Sequence, residues 1–292
     1  MIQGMILAVA AAMCMGLLAV FAKLGYRAGL SDVELLHYRF LFAAVSLGAV
    51  LALVRPRLLK ARPSVLAKAA ILGGVLYFVM SRCFFRALMT IPAATAALVL
   101  YLYPLVVALA SVWLFGQRLT RRTLASLAAV LAGCGLIFAD AFAGGADPAG
   151  VGYALGAMLA YSAYLLASQV FLRHEDPLAM SFWIFVFTAL SFSCIHDPRG
   201  VFALSGGQLA ISLAIGLIPC ALAIVMLNVA IRRLGSALAS VLSCVEPAVT
   251  VTAAAVWLGE PLVGAQLLGM ALVMAGVALP GLALRSTQPA SS

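Results

Sequence analysis

The sequence predicts an all-α membrane protein of ten transmembrane helices in two inverted five-helix repeats. Three observations predict it. Apolar residues make up 65% of the 292 and charged ones 9%, against roughly 25% charged in a soluble domain. The apolar residues fall in stretches of about 20, the length at which an α-helix crosses a bilayer, and period-2 alternation that would suggest a membrane β-barrel is absent. The chain also resembles itself. Shifted by 143 residues, Arg86–Leu136 overlies Val229–Leu279 with 14 identities in 51 positions.

Ten spans fit, at 3–25, 35–54, 65–86, 92–115, 121–141, 150–172, 178–197, 208–230, 235–258 and 262–284. Span 1 lacks a basic leader and a convincing small-residue cleavage site, and it is long for a signal sequence, so it is expected to stay as a helix. Span 2 ends at Arg55-Pro56, and span 3 follows Arg62-Pro63. Spans 5 and 6 are parted by Gly144-Gly145 and Asp147-Pro148. Asp176-Pro177 introduces span 7, Asp197-Pro198 ends it, and Gly259-Glu260-Pro261 precedes span 10. Each of these dipeptides is turn punctuation. The expected units are residues 1–143, residues 144–285 and a polar, disordered tail over 286–292.

The loops set the orientation. With the N-terminus inside, the inner loops and C-terminus hold 12 of the 18 basic residues, among them Arg55, Arg57, Lys60, Arg62, Arg121 and Arg232. The positive-inside rule then places both termini in the cytoplasm. The net charge of +9 is accordingly read as topology, with membrane lipid as the partner and no nucleic acid. Five spans per half is an odd number, so the second half enters the membrane inverted relative to the first.

Pro104 and Pro247 coincide under the shift, near the centres of spans 4 and 9. A mid-helix proline removes a hydrogen bond, and in lipid the freed carbonyl must find a partner or line a wet cavity. These are the candidate hinges; a kink that only aids packing is the alternative. Tyr77 and Ser81 lie on one face of span 3, with Gly73 and Gly74 nearby. Tyr161, Tyr164 and Ser168 share a face of span 6 by their spacing. Span 4 carries Tyr101 and Tyr103, expected to point in different directions. A tyrosine hydroxyl at membrane depth must be bonded or wet, so Tyr77, Tyr101, Tyr161 and Tyr164 are candidate cavity residues, or else packing glue. Tyr153 and Trp113 are assigned to the interfacial belt.

Glu246 is the one acidic residue near the middle of a span. A mid-membrane carboxylate is costly and marks function by default; it would bind a substrate amine, relay a proton, or brace the break at Pro247. Asn228 is a substrate contact or interhelical glue. Lys23 and Arg39 would attract a carboxylate, and snorkelling from span ends explains them equally. His37, His174 and His196 sit at span ends without ligand spacing, and the six cysteines form no CxxC. No catalytic residues, metal site or cofactor site are expected, since no nucleophile–base set, P-loop or dinucleotide motif is present.

Phe85-Arg86-Ala87-Leu88, Ile91-Pro92-Ala93-Ala94-Thr95-Ala96-Ala97, Tyr103-Pro104 and Leu114-Phe115-Gly116-Gln117-Arg118-Leu119 resemble the third-to-fifth helix region of EamA-type transporters in the drug/metabolite transporter superfamily. The second copy, with Glu246-Pro247 and Trp257-Leu258-Gly259-Glu260, resembles it further, as do Arg39-Phe40, Gly16 and Lys23. Met15 stands where the family often has Trp, and Gln117 where it often has Glu. The resemblance implies a ten-helix carrier with a central cavity, similar to bacterial amino-acid exporters, the aromatic ones included. The expected function is alternating-access export of amino acids or similar small, partly hydrophobic metabolites across the bacterial inner membrane, by a monomer or dimer. A multidrug carrier is the first alternative; a membrane enzyme or a channel is the second. The scarcity of buried positive charge speaks against a phosphate-bearing substrate.

Overall fold

The computed structural model describes residues 1–91, 93–116, 120–137, 147–259, 262 and 264–285. Gln117, Gly144, Gly145, Glu260, Pro261 and the 286–292 tail, all singled out by the sequence, lie outside the described residues, as does Pro92.

Among the described residues all regular structure is helical. Seven helical runs are long and apolar enough to cross a membrane: α1 (Ile2–Arg27), α2 (Asp32–Val54), α3 (Pro63–Ala87), α4 (Thr95–Phe115), α6 (Pro148–Phe171), α8 (Gly206–Leu234) and α9 (Ser236–Trp257). Three shorter apolar helices, α5 (Thr123–Ile137), α7 (Pro177–Ser193) and α10 (Gly264–Leu279), lie among them in chain order.

The starts of these helices follow from local chemistry. Ser31 and Glu34 form a reciprocal capping box that starts α2 at Asp32, and Ser205 and Gln208 do the same for α8. The Asp-Pro pairs, expected as turns, are helix starts. Asp147 caps α6 and Asp176 caps α7, each with proline at the first helical position. There the missing proline N–H costs nothing, because a first-turn N–H has no intrahelical partner.

Among the described residues five helices are interrupted, α1 by a turn at Leu17 and four others. The first half of α4 ends at Leu100, a turn occupies Tyr101-Leu102, and a second half runs Tyr103–Phe115. The first half of α9 ends at Ser243, a turn occupies Cys244-Val245, and Glu246–Leu258 follows. Pro104 and Pro247 therefore do not sit in the middle of a continuous helix, as expected. They sit in the first turn of the second half-helix, and each ring opens the turn before it. α3 carries a π-helical stretch at Ala70–Tyr77 and α8 another at Leu217–Leu222.

The packing pairs the two halves of the chain. α5 lies against α10 along the most extensive contact of the molecule. α3 packs on α6 and α1 on α8; α7 meets α3, and α2 meets α8; α4 and α9 touch each other. Glycine sets the closest approaches. A Cβ on Gly133 would come within 2.6 Å of the Gly269 carbonyl oxygen, and one on Gly269 within 2.6 Å of the Gly133 carbonyl oxygen. Gly73 meets the Ile184 carbonyl in the same way, and Gly216 meets the Phe42 side chain.

Candidate functional site

The interrupted helices bring a column of aromatic rings to the centre of the bundle. Tyr77 at the end of the α3 π stretch stands edge-on to Tyr164 of α6, centroids 5.2 Å apart. Tyr164 lies parallel to Tyr161 one turn away at 6.1 Å. Tyr161 stands edge-on to Tyr103 at 4.8 Å, and Tyr103 is 6.4 Å from Tyr101. All five rings are buried. Edge-to-face pairs at these distances are attractive through the ring quadrupoles.

Tyr101 and Tyr103 were expected to diverge, and the structure places both in the column. The turn at Tyr101-Leu102 is the reason, because the 100° step of a continuous helix does not hold across a break. Tyr103 is thus a member of the cluster that spacing alone missed.

Each end of the column meets a charge. At one end the Tyr101 hydroxyl hydrogen-bonds the carboxylate of Glu246. Glu246 opens the second half of α9, where the positive end of the helix dipole favours an anion. At the other end Arg39 Nη2 donates to the Tyr77 hydroxyl at 3.3 Å and to the Pro219 carbonyl oxygen at 3.2 Å. Arg39 is 4% exposed. Of the two readings the sequence left open for it, snorkelling from a span end does not hold. The capping box starts α2 at Asp32, which sets Arg39 about 10 Å along the helix axis.

The hydroxyls find partners on neighbouring helices. Tyr164 donates to Asn228 Oδ1 at 3.3 Å, and Asn228 Nδ2 donates to Ser181 Oγ at 2.9 Å, so Asn228 ties α8 to α6 and α7. Tyr103 donates to the Ser240 carbonyl of α9 at 3.4 Å. Thr250 donates to the Gly16 carbonyl at 3.0 Å, just before the interruption of α1 at Leu17. Of the sequence candidates, Tyr77, Tyr101, Tyr161, Tyr164, Asn228 and Glu246 come together. Ser81 lies buried one turn beyond Tyr77 and takes no part in these contacts among the described residues. Trp113 and Tyr153 are exposed, at 87% and 44%, as expected of side chains facing out of the bundle.

Polar contacts join the two halves at both ends of α2. At its start His37 Nδ1 lies 3.1 Å from His196 Nδ1, and His37 Nε2 lies 2.9 Å from Ser193 Oγ. The sequence placed these two histidines at span ends and gave no relation between them. Beyond the other end of α2, Lys68 pairs with Glu175 at 2.5 Å. Beside that pair a cavity of about 270 Å³ is lined by Arg57, Lys60, Arg62, His174, Glu175 and Asp176, among others. Among the described residues no three histidines, cysteines or carboxylates gather as a metal site would require.

The sequence model of the EamA-like transporter family matches at residues 2–139 and again at 148–281. An uncharacterized transporter of Bacillus subtilis (strain 168), YwfM, is 32% identical over 171 residues, 56% of this chain. The matched stretch spans about half the length of that relative, 55%. A solved crystal structure superimposes with a TM-score of 0.79 over 98% of this chain and 99% of that one, at 24% identity, and so shares the fold.

Proposed function

The chain belongs to the EamA-like transporter family, and on that premise we propose that it is a secondary transporter that exports amino acids or similar small, partly hydrophobic metabolites across the bacterial inner membrane. The observation that carries this reading is the buried tyrosine column between the broken helices α4 and α9, with Glu246 at its end. Broken helices at mid-span are where carriers build substrate sites. An aromatic lining with few fixed charges selects by size and ring character. A substrate ammonium fits the Glu246 carboxylate, and an aromatic or aliphatic side chain fits against the rings.

Alternating access needs two nearly equivalent packings, which inverted repeats supply. Several pairs of features 143 residues apart support ten spans in two five-helix repeats. The turn at Tyr101-Leu102 matches the one at Cys244-Val245. Gly116 and Gly259 end their helices alike, and the close-packed Gly73 matches Gly216. The family's two matches supply a second line of support. On this reading α5, α7 and α10 also cross the bilayer, and the termini face the cytoplasm by the charge of the loops. The five rings are buried, so substrate entry requires the halves to part. The His37–His196 contact at the start of α2 and the Lys68–Glu175 contact near the start of α3 are the latches that parting would break in turn.

The test is counterflow. Purified protein is reconstituted in liposomes loaded with unlabelled tryptophan, threonine or methionine, and uptake of the labelled compound is followed without an ion gradient. Transient accumulation above protein-free liposomes is expected for at least one of them. Absence of accumulation for all three, with folded protein, both without and with a pH gradient, rejects amino-acid transport. Movement of a cationic dye in the same vesicles would then favour a multidrug carrier.

A further inference from the structure

Arg39 is a buried cation to which the protein offers only neutral hydrogen-bond acceptors. Its Nη2 reaches the Tyr77 hydroxyl and the Pro219 carbonyl, both at long distance, 3.3 and 3.2 Å. Its Nε is buried and makes no hydrogen bond, and the thiol of Cys220, a weak neutral acceptor, lies beside the guanidinium. Among the described residues no carboxylate forms an ion pair with it. Glu246 acts on it electrostatically without pairing with it, and Phe40 lies under it at 5.2 Å. Burying a charge without a paired, hydrogen-bonded partner is expensive, and leaving a buried donor bare adds to that expense. A structural role for Arg39 would be met more cheaply by a neutral side chain.

The bare atom has a specific position. Nε and Nη2 form one edge of the guanidinium, and that edge accepts a carboxylate through two parallel hydrogen bonds. Here Nε is unoccupied and Nη2 is held by neutral acceptors that a carboxylate would outcompete. Those two acceptors belong to the helices with π-helical stretches. Tyr77 ends the stretch in α3, and Pro219 lies within the one in α8.

We propose that the Nε–Nη2 edge of Arg39 binds the carboxylate of the transported substrate, so that the carrier selects carboxylate-bearing molecules over their amine and amide analogues. The inference rests on the amino-acid reading above for the identity of the ligand, but not for its charge. Binding exchanges the Tyr77 and Pro219 contacts for the carboxylate, which releases α3 and α8 from the guanidinium they share. Substrate arrival is thereby linked to the two helices whose backbones are already loosened. A single guanidinium suits a monoanion; a phosphate dianion would call for further cations, and Arg39 is the sole fully buried one among the described residues.

The experiment uses the full-length protein in detergent and in liposomes, with four probes: tryptophan, tryptophan amide, tryptamine and indole-3-propionate. Thermal stabilisation and competition against labelled tryptophan in counterflow are measured for wild type, Arg39→Gln and Arg39→Lys. In the wild type, tryptophan should bind at least about tenfold more tightly than tryptamine and the amide, which keep its ammonium and lack its carboxylate, while indole-3-propionate, with the carboxylate alone, should still compete. Arg39→Gln should lose that preference, and Arg39→Lys should keep part of it, since an ammonium is a point charge without the two-pronged edge. Equal binding of acid and amide by the wild type overturns the proposal, as does an unchanged acid-to-amide ratio in Arg39→Gln. If Arg39→Gln does not fold, Tyr77→Phe decides. Removing the competing hydroxyl should raise carboxylate affinity, and no change in the acid-to-amide ratio counts against Arg39. If no indole compound binds the wild type, the amino-acid reading fails separately. Acetate, benzoate and lactate are then compared with their amides in the stabilisation assay, where a carboxylate preference lost in Arg39→Gln sustains the proposal and its absence ends it.

Discussion

Gly116 and Gly259 close α4 and α9 with the same left-handed backbone, φ 62° and ψ 22° at one, φ 71° and ψ 22° at the other. At each, the glycine N–H bonds the carbonyl five residues back, Ser111 and Ala254. A side chain there would meet no neighbour, so the glycine is required by backbone conformation alone. We predict that Gly116→Ala and Gly259→Ala each lower stability by about 1–2 kcal/mol. Gly135→Ala, inside α5 with open space around it, should be neutral or slightly stabilising. Thermal unfolding in one detergent compares all three, and equal effects at Gly116 and Gly135 would refute the conformational argument.

Gly73 and Gly74 are neighbours in the α3 π stretch, yet they should respond differently. A Cβ on Gly73 would lie 2.3 Å from the Ile184 carbonyl oxygen, a backbone atom that cannot swing aside. On Gly74 the nearest atom is Ser191 Oγ at 3.5 Å, an ordinary contact. Gly73→Ala should therefore cost about 1–3 kcal/mol, as overpacking does, and Gly74→Ala much less. Matched unfolding midpoints for the two would show that α3 can shift off α7 at no cost.

What the sequence disclosed depended on how far each signal travels along the chain. The helical class followed from apolar run length, and the breaks in α4 and α9 from proline. The position of each interruption relative to its proline did not, because the ring disturbs the turn before it, and this hid Tyr103 from the cluster. Arg39 was misplaced for a local reason. The Ser31–Glu34 box starts α2 three residues before its apolar run, and this carries Arg39 inward from the end that hydropathy alone assigns. His37 and His196 are 159 residues apart, and no spacing rule reaches that far. Asn228 and Glu246 stood out as polar groups in apolar runs, but which helices they face is decided by packing.

Asn228 joins three helices through Tyr164 and Ser181, and both of its bonds go to protein. We expect it to be a brace. Asn228→Leu should lower stability by about 1–3 kcal/mol, because two buried hydroxyls lose a partner. The apparent KM for the transported substrate should change by less than about threefold in protein that remains folded, since uniform binding is untouched. A variant as stable as wild type that no longer binds substrate would make Asn228 a ligand instead.

Glu246 combines two roles that a single substitution can separate. Its carboxylate receives the Tyr101 hydroxyl and sits at the start of the Glu246–Leu258 half-helix. Glutamine keeps an oxygen that accepts from Tyr101, so Glu246→Gln should fold and should still exchange substrate across a vesicle. It removes the negative charge, and with it both the attraction for an ammonium and the capacity to carry a proton. We therefore predict weaker substrate binding, by about tenfold, together with loss of pH-gradient-driven accumulation. Glu246→Leu removes the acceptor as well, leaving the Tyr101 hydroxyl without this partner at a cost of about 1–3 kcal/mol. The decisive comparison is counterflow and gradient-driven uptake measured on the same batch of Glu246→Gln vesicles. Accumulation at the wild-type level would exclude Glu246 from coupling and leave it as the brace that holds the second half of α9 against Tyr101.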